Sequence, residues 1–312
     1  MSDSSSHPAF ARLLATPAKV NLGLKIVGRR PDGYHDILTV MEPISLADNL
    51  YCEFHPGPAD RCTLACPRLP EVAAADNLVV KAAVRMVELA RERAGGPAGH
   101  WHFFLDKKIP SGAGLGGGSS NAAAVITLLE RFYGLGLSPA ERVEIAASLG
   151  ADIPFFLAPG LARVEGIGER ITRLGCGPVR WYLLVKPDFG VDTGWAYGAL
   201  RAGAQRRNPD YDGGQFTGCG PAAYRLENDF EAPVFARFPR LADIKAWLAG
   251  RPDCRGALMS GSGAVVYGIF DSFAAACREY ENTRRQWSGE GCMVFLARNL
   301  RSPDRALSPG PK

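Results

Sequence analysis

The segment Pro110-Ser111-Gly112-Ala113-Gly114-Leu115-Gly116-Gly117-Gly118-Ser119-Ser120-Asn121 holds five glycines and one alanine in twelve residues. Glycine lets backbone N–H groups approach a ligand closely and take positive φ. The apolar run Ala122-Ala123-Ala124-Val125-Ile126 follows at once, so the Ser-Ser-Asn end reads as the start of a helix. Bare amides leading into a helix N-terminus form an anion site, most often for phosphate. A flexible surface loop is the bland alternative, but plain linkers rarely run straight into an apolar helix. Three other glycine-rich patterns fail. The Walker pattern needs Gly-Lys-Ser/Thr, and no lysine follows a glycine in this run. Gly112 to Gly117 does fit Gly-x-Gly-x-x-Gly, but a dinucleotide site also wants an acidic residue about 20 positions on, at a strand end. Beyond Gly117 the pattern is helical, with Glu130 inside it. Asp188-Phe189-Gly190 spells the metal-binding tripeptide of protein kinases, yet the His-Arg-Asp loop is absent, so the match is chance.

Three further stretches carry chemistry. In Pro17-Ala18-Lys19-Val20-Asn21-Leu22 a lysine and an asparagine alternate with small apolar residues, so both point to one face of a strand. That face is either solvent or a site. In Leu149-Gly150-Ala151-Asp152-Ile153-Pro154-Phe155-Phe156 a carboxylate stands between a helix end and an apolar run. An acidic group so placed is ion-paired or functional, and its bland readings are an N-cap or a salt bridge to Lys19 or an arginine. Met259-Ser260-Gly261-Ser262-Gly263-Ala264 is a Ser/Gly turn, a hairpin whose glycines also allow packing against another backbone or a phosphate.

These stretches need a scaffold. A chain of 312 residues suggests two domains, and 46% hydrophobic with 22% charged residues describes an ordinary soluble protein. The net charge of +4 is too dispersed for a nucleic-acid partner but suits anionic small substrates. No apolar stretch approaches the roughly 18 residues of a membrane span. Met1 to Pro8 lacks the apolar core of a signal peptide, which points to the cytoplasm. The eight cysteines, at 52, 62, 66, 176, 219, 254, 277 and 292, show no zinc spacing and read as reduced thiols. His7, His55, His100 and His102 read as loop or strand residues.

Residues 1–8 and 301–312 are expected to be disordered tails, and the domain boundary is placed near residue 175, giving units 9–175 and 176–300. Leu13 to Ile26 reads as a strand interrupted by Pro17, and His35 to Leu46 as its continuation across the turn Gly28 to Gly33. A helix starts near Asp76, carries Val80, Ala83, Val87 and Ala90 on one face, and ends at Gly95-Gly96-Pro97. Trp101 to Lys108 is a strand, and Ser119 to Tyr133 a helix closed by Gly134. Ser138-Pro139-Ala140-Glu141 is a capping box opening a third helix, which Gly150 ends. Trp181 to Val185 is a strand, and 202–221 a long, mobile loop rich in Gly, Arg and Asp. Helices fall between Phe230 and Leu248. From Gly256 onwards a β-α-β arrangement is expected, with a strand over Ala264 to Phe270, a helix over Ser272 to Trp287 and a strand over Cys292 to Leu296.

Taken together, these stretches resemble the GHMP kinase superfamily, which includes galactokinase, homoserine kinase and mevalonate kinase. Its Pro-x-x-x-Gly-Leu-Gly-Gly/Ser-Ser-Ser motif is similar to Pro110 followed by Gly114-Leu115-Gly116 and onward. The wording is closest to the branch acting in non-mevalonate isoprenoid synthesis. The matching pieces are Pro17 to Leu22, Arg30-Pro31-Asp32-Gly33-Tyr34-His35, Gly114 to Ala122, Gly150 to Phe156, Glu227-Asn228-Asp229-Phe230-Glu231 and Met259 to Gly263. Arg-x-Asp-Gly-Tyr-His separates this branch from the mevalonate and homoserine enzymes.

The resemblance implies an α+β, two-domain fold: an N-terminal domain like ribosomal protein S5 domain 2 and a ferredoxin-like C-terminal domain, with substrates in the cleft between them. It implies transfer of the ATP γ-phosphoryl group, with Mg²⁺, to the 2-hydroxyl of a cytidyl-diphospho-methylerythritol. Asp152 would orient that hydroxyl and accept its proton. A carboxylate is a weak base, which is tolerable in a loose transition state where proton removal comes late. Lys19 would pair with Asp152 and favour the anionic transferring group, and Asn21 would orient one of them. The amides of Ser111, Gly112, Ala113, Gly114, Leu115, Gly116, Gly117, Gly118, Ser119 and Ser120, after Pro110, would hold the ATP phosphates. Ser119 or Ser120 would reach the metal. Tyr34 and His35 would recognise the cytidine end, with Tyr197 or else Trp195 closing an aromatic sandwich. Asn77, Leu78 and Lys107 are candidates for the adenine pocket. The partner is thus a small molecule rather than nucleic acid or membrane, for a monomer or homodimer. The alternatives are a homoserine- or phosphomevalonate-type kinase, or a non-catalytic nucleotide or sugar sensor.

Overall fold

The computed structural model describes residues 8–68, 73–158, 160–200, 216 and 226–301. The expected tails, apart from Pro8 and Arg301, and the expected loop over 202–221, apart from Phe216, lie outside the described residues.

The first sheet is built on two long antiparallel strands, β1 (Phe10–Arg29) and β2 (His35–Pro56), paired from Phe10↔Phe54 to Arg29↔His35. The other edge of β2 is shared. Its C-terminal half pairs with β4 (Gly99–Asp106), whose outer neighbour is the parallel β3 (Arg61–Ala65). Its N-terminal half pairs with β5 (Ala162–Gly166), followed by β6 (Arg170–Arg173). Pro17 does not interrupt β1: the register shifts between Pro17 and Ala18, and such a bulge accommodates a residue that has no N–H. Nor does β2 stop at Leu46, because partners on both sides carry it as far as Pro56.

Helices α1 (Leu78–Ala94), α2 (Gly117–Tyr133), α3 (Pro139–Leu149) and α4 (Ile153–Leu157) contribute to the core on one face of this sheet. Val80, Ala83, Val87 and Ala90 are buried, as their spacing demands. The Ser138 capping box forms with both of its hydrogen bonds. Trp101 is fully buried and donates its indole N–H to the Tyr133 hydroxyl at 2.9 Å.

The second sheet has the order β10-β7-β9-β8, all antiparallel: β7 (Trp181–Lys186), β8 (Gly256–Met259), β9 (Val266–Phe270) and β10 (Met293–Arg298). The segment from Gly256 is therefore β-β-α-β, because the Ser/Gly turn joins two strands rather than preceding one. The remaining helices are α5 (Thr193–Gly198), α6 (Glu231–Arg237), α7 (Pro239–Ala249) and α8 (Phe273–Trp287). Leu183, Val185, Val266 and Phe270 share a core with Leu241, Ile244, Leu248 and Ala276 from α7 and α8. The opposite face of the sheet, with Tyr182, Leu184, Tyr267 and Ile269, packs on Ala18, Val20, Leu22 and Val40 of the first sheet. The molecule is thus layered helix, sheet, sheet, helix. Cys52, Cys62, Cys176, Cys254, Cys277 and Cys292 are free thiols, Cys219 lies outside the described residues, and burial pushes the Cys52 thiol up to about 12. No described helix is long and apolar enough to cross a membrane.

A polar knot lies between the sheets. Glu42 accepts from Arg180 at 2.7 Å, from Asn299 at 3.0 Å and from the Tyr182 hydroxyl. Burial pushes the Glu42 carboxyl up, against the pull of Arg180. Removing one partner of a buried pair leaves the other uncompensated, at a cost of about 3–5 kcal/mol. Arg180→Met is therefore expected to lower the unfolding midpoint markedly, and adding Glu42→Gln to recover part of the loss. An unchanged midpoint in thermal or urea melts of Arg180→Met would contradict this.

Candidate active site

Strand alternation sends Ala18, Val20 and Leu22 into the core between the sheets and turns Lys19 and Asn21 to the other face. That face is not solvent: Lys19 is 2% exposed and Asn21 1%. The Lys19 ammonium donates to Asn21 Oδ1 at 2.6 Å and to the Gly114 carbonyl at 3.0 Å, and lies 3.5 Å from Asp152 Oδ2. Asn21 in turn donates to Thr39 Oγ1 at 2.9 Å, and Thr39 donates to the Gly23 carbonyl at 2.6 Å. The Asn21 amide is thereby held with its oxygen toward the lysine. Asp152 occupies the residue before α4, but its side chain makes no capping hydrogen bond. The carboxylate stays about a third exposed, so the N-cap reading fails and the salt bridge to Lys19 stands.

The glycine run enters its helix two residues earlier than expected, at Gly117 rather than Ser119. Gly116 precedes the helix with φ 68° and no side-chain cap, so the first amides of α2 keep their donors for a ligand. Ser119 lines the cleft, whereas Ser120 is buried. The Ser/Gly turn connects β8 to β9 and also packs backbone on backbone against the run. Ala264 N–H donates to the Gly112 carbonyl and Val265 N–H to the Ala113 carbonyl, each at 3.2 Å. The Ser260 hydroxyl donates to the Gly114 carbonyl at 2.9 Å. Gly114 has φ +70°, and a Cβ there would lie 2.0 Å from the Ser260 carbonyl oxygen.

Beneath the run sits a residue that sequence reasoning missed. Asp48 is fully buried, accepts from Lys107 Nζ at 2.5 Å and from Asn121 Nδ2 at 3.2 Å, and accepts from the Lys108 and Ile109 N–H groups at 2.7 and 2.8 Å. Thr16 completes the group by donating to Asn121 Oδ1 at 2.5 Å. Its only trace in the sequence is a lone carboxylate within the largely apolar stretch Ile44 to Leu50.

These elements surround a cleft of about 380 Å³. Pro110 to Ser119 line it, and so do Lys19, Asn21 and Asp152. Asn77, Leu78 and Lys107 line it too, although Asn77 also caps α1 and Lys107 is paired with Asp48. Tyr197 lines it, together with Thr193, Ser262 and Phe230, which the sequence did not single out as site residues. Burial, then the nearby Asp152 charge, pushes the Tyr197 hydroxyl up to about 12. The His35 ring stacks on Tyr197, with centroids 5.1 Å apart. Burial and the neighbouring Arg29 hold His35 below its ordinary 6.5. Trp195 instead packs on Phe238, with the Arg237 guanidinium over its ring. Tyr34 sits on its turn at 62% exposure, outside the cleft lining.

Comparison with known proteins shows the family. The profile of the GHMP kinases N terminal domain matches residues 77–160, and that of the GHMP kinases C terminal domain matches residues 216–289. A 4-diphosphocytidyl-2-C-methyl-D-erythritol kinase of Heliobacterium modesticaldum is 40% identical over 93% of this chain and 95% of its own length. A protein of the same description from Geobacter sp. (strain M21) is 38% identical over 87% of this chain and 95% of its own. The chain belongs to the 4-diphosphocytidyl-2-C-methyl-D-erythritol kinase family of the GHMP kinases. A crystal structure of 4-(cytidine 5'-diphospho)-2C-methyl-D-erythritol kinase superposes on this kinase with a TM-score of 0.75 at 32% identity, over 93% of this chain and 99% of that one. Homoserine kinase from Cytophaga hutchinsonii shares the fold, with a TM-score of 0.70 at 16% identity, over 97% and 98%.

The close approach at Gly114 gives a direct test. A Cβ there meets backbone as well as an unfavourable φ, and neither relaxes cheaply. Gly114→Ala is expected to weaken ATP binding by about tenfold or more, corresponding to about 1.4 kcal/mol. Gly28→Ala, with open space around it and no positive φ, should be neutral. Equal ATP affinities in an equilibrium titration of the two variants would contradict the packing account.

Proposed function

We propose that this kinase transfers the γ-phosphoryl group of ATP to the 2-hydroxyl of 4-diphosphocytidyl-2-C-methyl-D-erythritol, in the non-mevalonate route to isoprenoid precursors. The observation that carries the reading is the Lys19–Asp152 pair, 3.5 Å apart, beside the uncapped N-terminus of α2. The acceptor hydroxyl hydrogen-bonds to the Asp152 carboxylate and attacks the γ-phosphorus. An O–P bond forms, the bond to the β-phosphate oxygen breaks and ADP leaves. The hydroxyl proton passes to Asp152 late, when the oxygen is already bonded to phosphorus. Lys19 stabilises the negative charge on the transferring group, and Asn21 fixes the direction of its ammonium. The amides from Gly112 to Ser119 hold the ATP phosphates, whereas that of Ser120 donates to the Gly116 carbonyl at 2.9 Å.

Ser119 presents its hydroxyl to the same cleft and would hold Mg²⁺, which is bound mainly through phosphates and water. When bound, the ion neutralises phosphate charge. At the cytidine end Tyr197 supplies a half-buried ring, His35 braces it, and Tyr34 closes over the base from its exposed turn. Stacking of this kind contributes about 1–3 kcal/mol per base. We place the function in the cytoplasm.

The deciding assay offers ATP with the cytidyl substrate, and homoserine, mevalonate and phosphomevalonate as controls. Phosphorylation of the cytidyl substrate alone is expected. Asp152→Asn should lower kcat by about 10²–10⁴-fold with ATP affinity little changed. Near-wild-type turnover in that variant, or preference for a control alcohol, would refute the reading.

A further inference from the structure

The stretch Glu227-Asn228-Asp229-Phe230-Glu231 has no role in the mechanism above, yet it joins the cleft strand to the Ser/Gly turn. Leu24 N–H donates to the Glu227 carbonyl at 2.8 Å, and Asp229 N–H to the Leu24 carbonyl at 3.0 Å. Asp229 Oδ2 accepts from Ile26 N–H at 2.8 Å, and Lys25 is bracketed by the Glu227 and Asp229 carboxylates. Glu231 Oε1 accepts from Met259 N–H at 3.0 Å. Asn228 stands at the centre, 6% exposed. Its amide donates to the Met259 and Gly261 carbonyls, both at 2.8 Å, and its oxygen accepts from Phe230 N–H at 3.0 Å.

The two carbonyls held by Asn228 flank Ser260. The Ser260 hydroxyl donates to the Gly114 carbonyl, which also receives the Lys19 ammonium. One backbone oxygen of the glycine run is thus fixed jointly by the lysine and by the turn that Asn228 holds. Without the Asn228 amide, two buried turn carbonyls lose a donor, and the turn is free to shift toward another.

We propose that Asn228 is a positioning residue for phosphoryl transfer: it sets Ser260, and through Ser260 the Gly114 carbonyl, so that the ATP loop and Lys19 keep one register. This rests on reading the cleft as a phosphoryl-transfer site. Asn228 acts on the nucleotide side, whereas Phe230, whose ring meets the Tyr197 ring edge-on at 4.8 Å, lies on the acceptor side.

Asn228→Asp separates the two, because it keeps an oxygen for Phe230 N–H and loses the donors to the turn. Ser260→Ala cuts the same path without touching Asn228. Each is expected to weaken ATP binding, titrated without acceptor, and to lower kcat, each by about tenfold, with the acceptor KM within about twofold. The double variant should be no worse than the weaker single by more than about twofold, because contacts in series are not additive. Unchanged ATP affinity in either variant, additive losses in the double, or equal rises in both KM values would overturn the proposal. If Asn228→Asp does not fold, Ser260→Ala decides alone on the same titration. That titration needs no acceptor, so wild-type failure on the cytidyl substrate would refute the proposed function and leave the test of Asn228 standing.

Discussion

A buried ammonium is costly unless acceptors surround it, and Lys19 is surrounded from three directions. Asn21 comes from its own strand, the Gly114 carbonyl from the glycine run and Asp152 from the residue before α4. Three segments far apart in sequence are therefore drawn to one charge. On the proposed mechanism the same charge also stabilises the transferring phosphoryl group, so that one side chain serves both the fold and the reaction.

The rest of the architecture keeps that meeting point narrow. Two sheets pack face to face over Val20, Leu22, Tyr182 and Tyr267, which anchors β1 from behind. The Tyr267 hydroxyl donates to the Asn21 carbonyl at 2.6 Å, so the second sheet also grips the cleft strand directly. From below, Asp48 gathers Lys107, Asn121 and the amides of Lys108 and Ile109, which fixes how the chain enters the glycine run. From above, the Ser/Gly turn approaches so closely that only glycine fits at position 114. The back of the run faces another backbone, and on the proposed function its amides face the ATP phosphates.

Features with local causes were legible in the sequence. The capping box at Ser138, the helix ends at Gly95, Gly134 and Gly150, and the amphipathic face of α1 depend on neighbours within a few turns. The glycine run, Lys19, Asn21 and Asp152 were legible because each is the wrong residue type for a plain loop or strand face. The rest depends on distant partners. The true lengths of β1 and β2 follow from pairing on both edges of β2, and the early start of α2 follows from the glycine at 116. Asp48 and Asn228 are ordinary polar residues until the fold brings partners to them; Asn21 and Ser260, joined by a buried hydrogen bond, are 239 residues apart. Between Tyr197 and Trp195 the motif could not choose, whereas packing places Trp195 on Phe238 and Tyr197 in the cleft beside His35.

On the proposed mechanism it is the Lys19 charge, rather than its bulk, that drives the transfer. Single-turnover phosphorylation by Lys19→Met, with ATP and acceptor both saturating, isolates that charge, because methionine is close to lysine in length and lacks the ammonium. The rate is expected to fall by about 10²–10³-fold or more, in line with losing one pre-organised donor at a developing charge. A Lys19→Met enzyme that folds normally and transfers phosphate at close to the wild-type rate would contradict the mechanism.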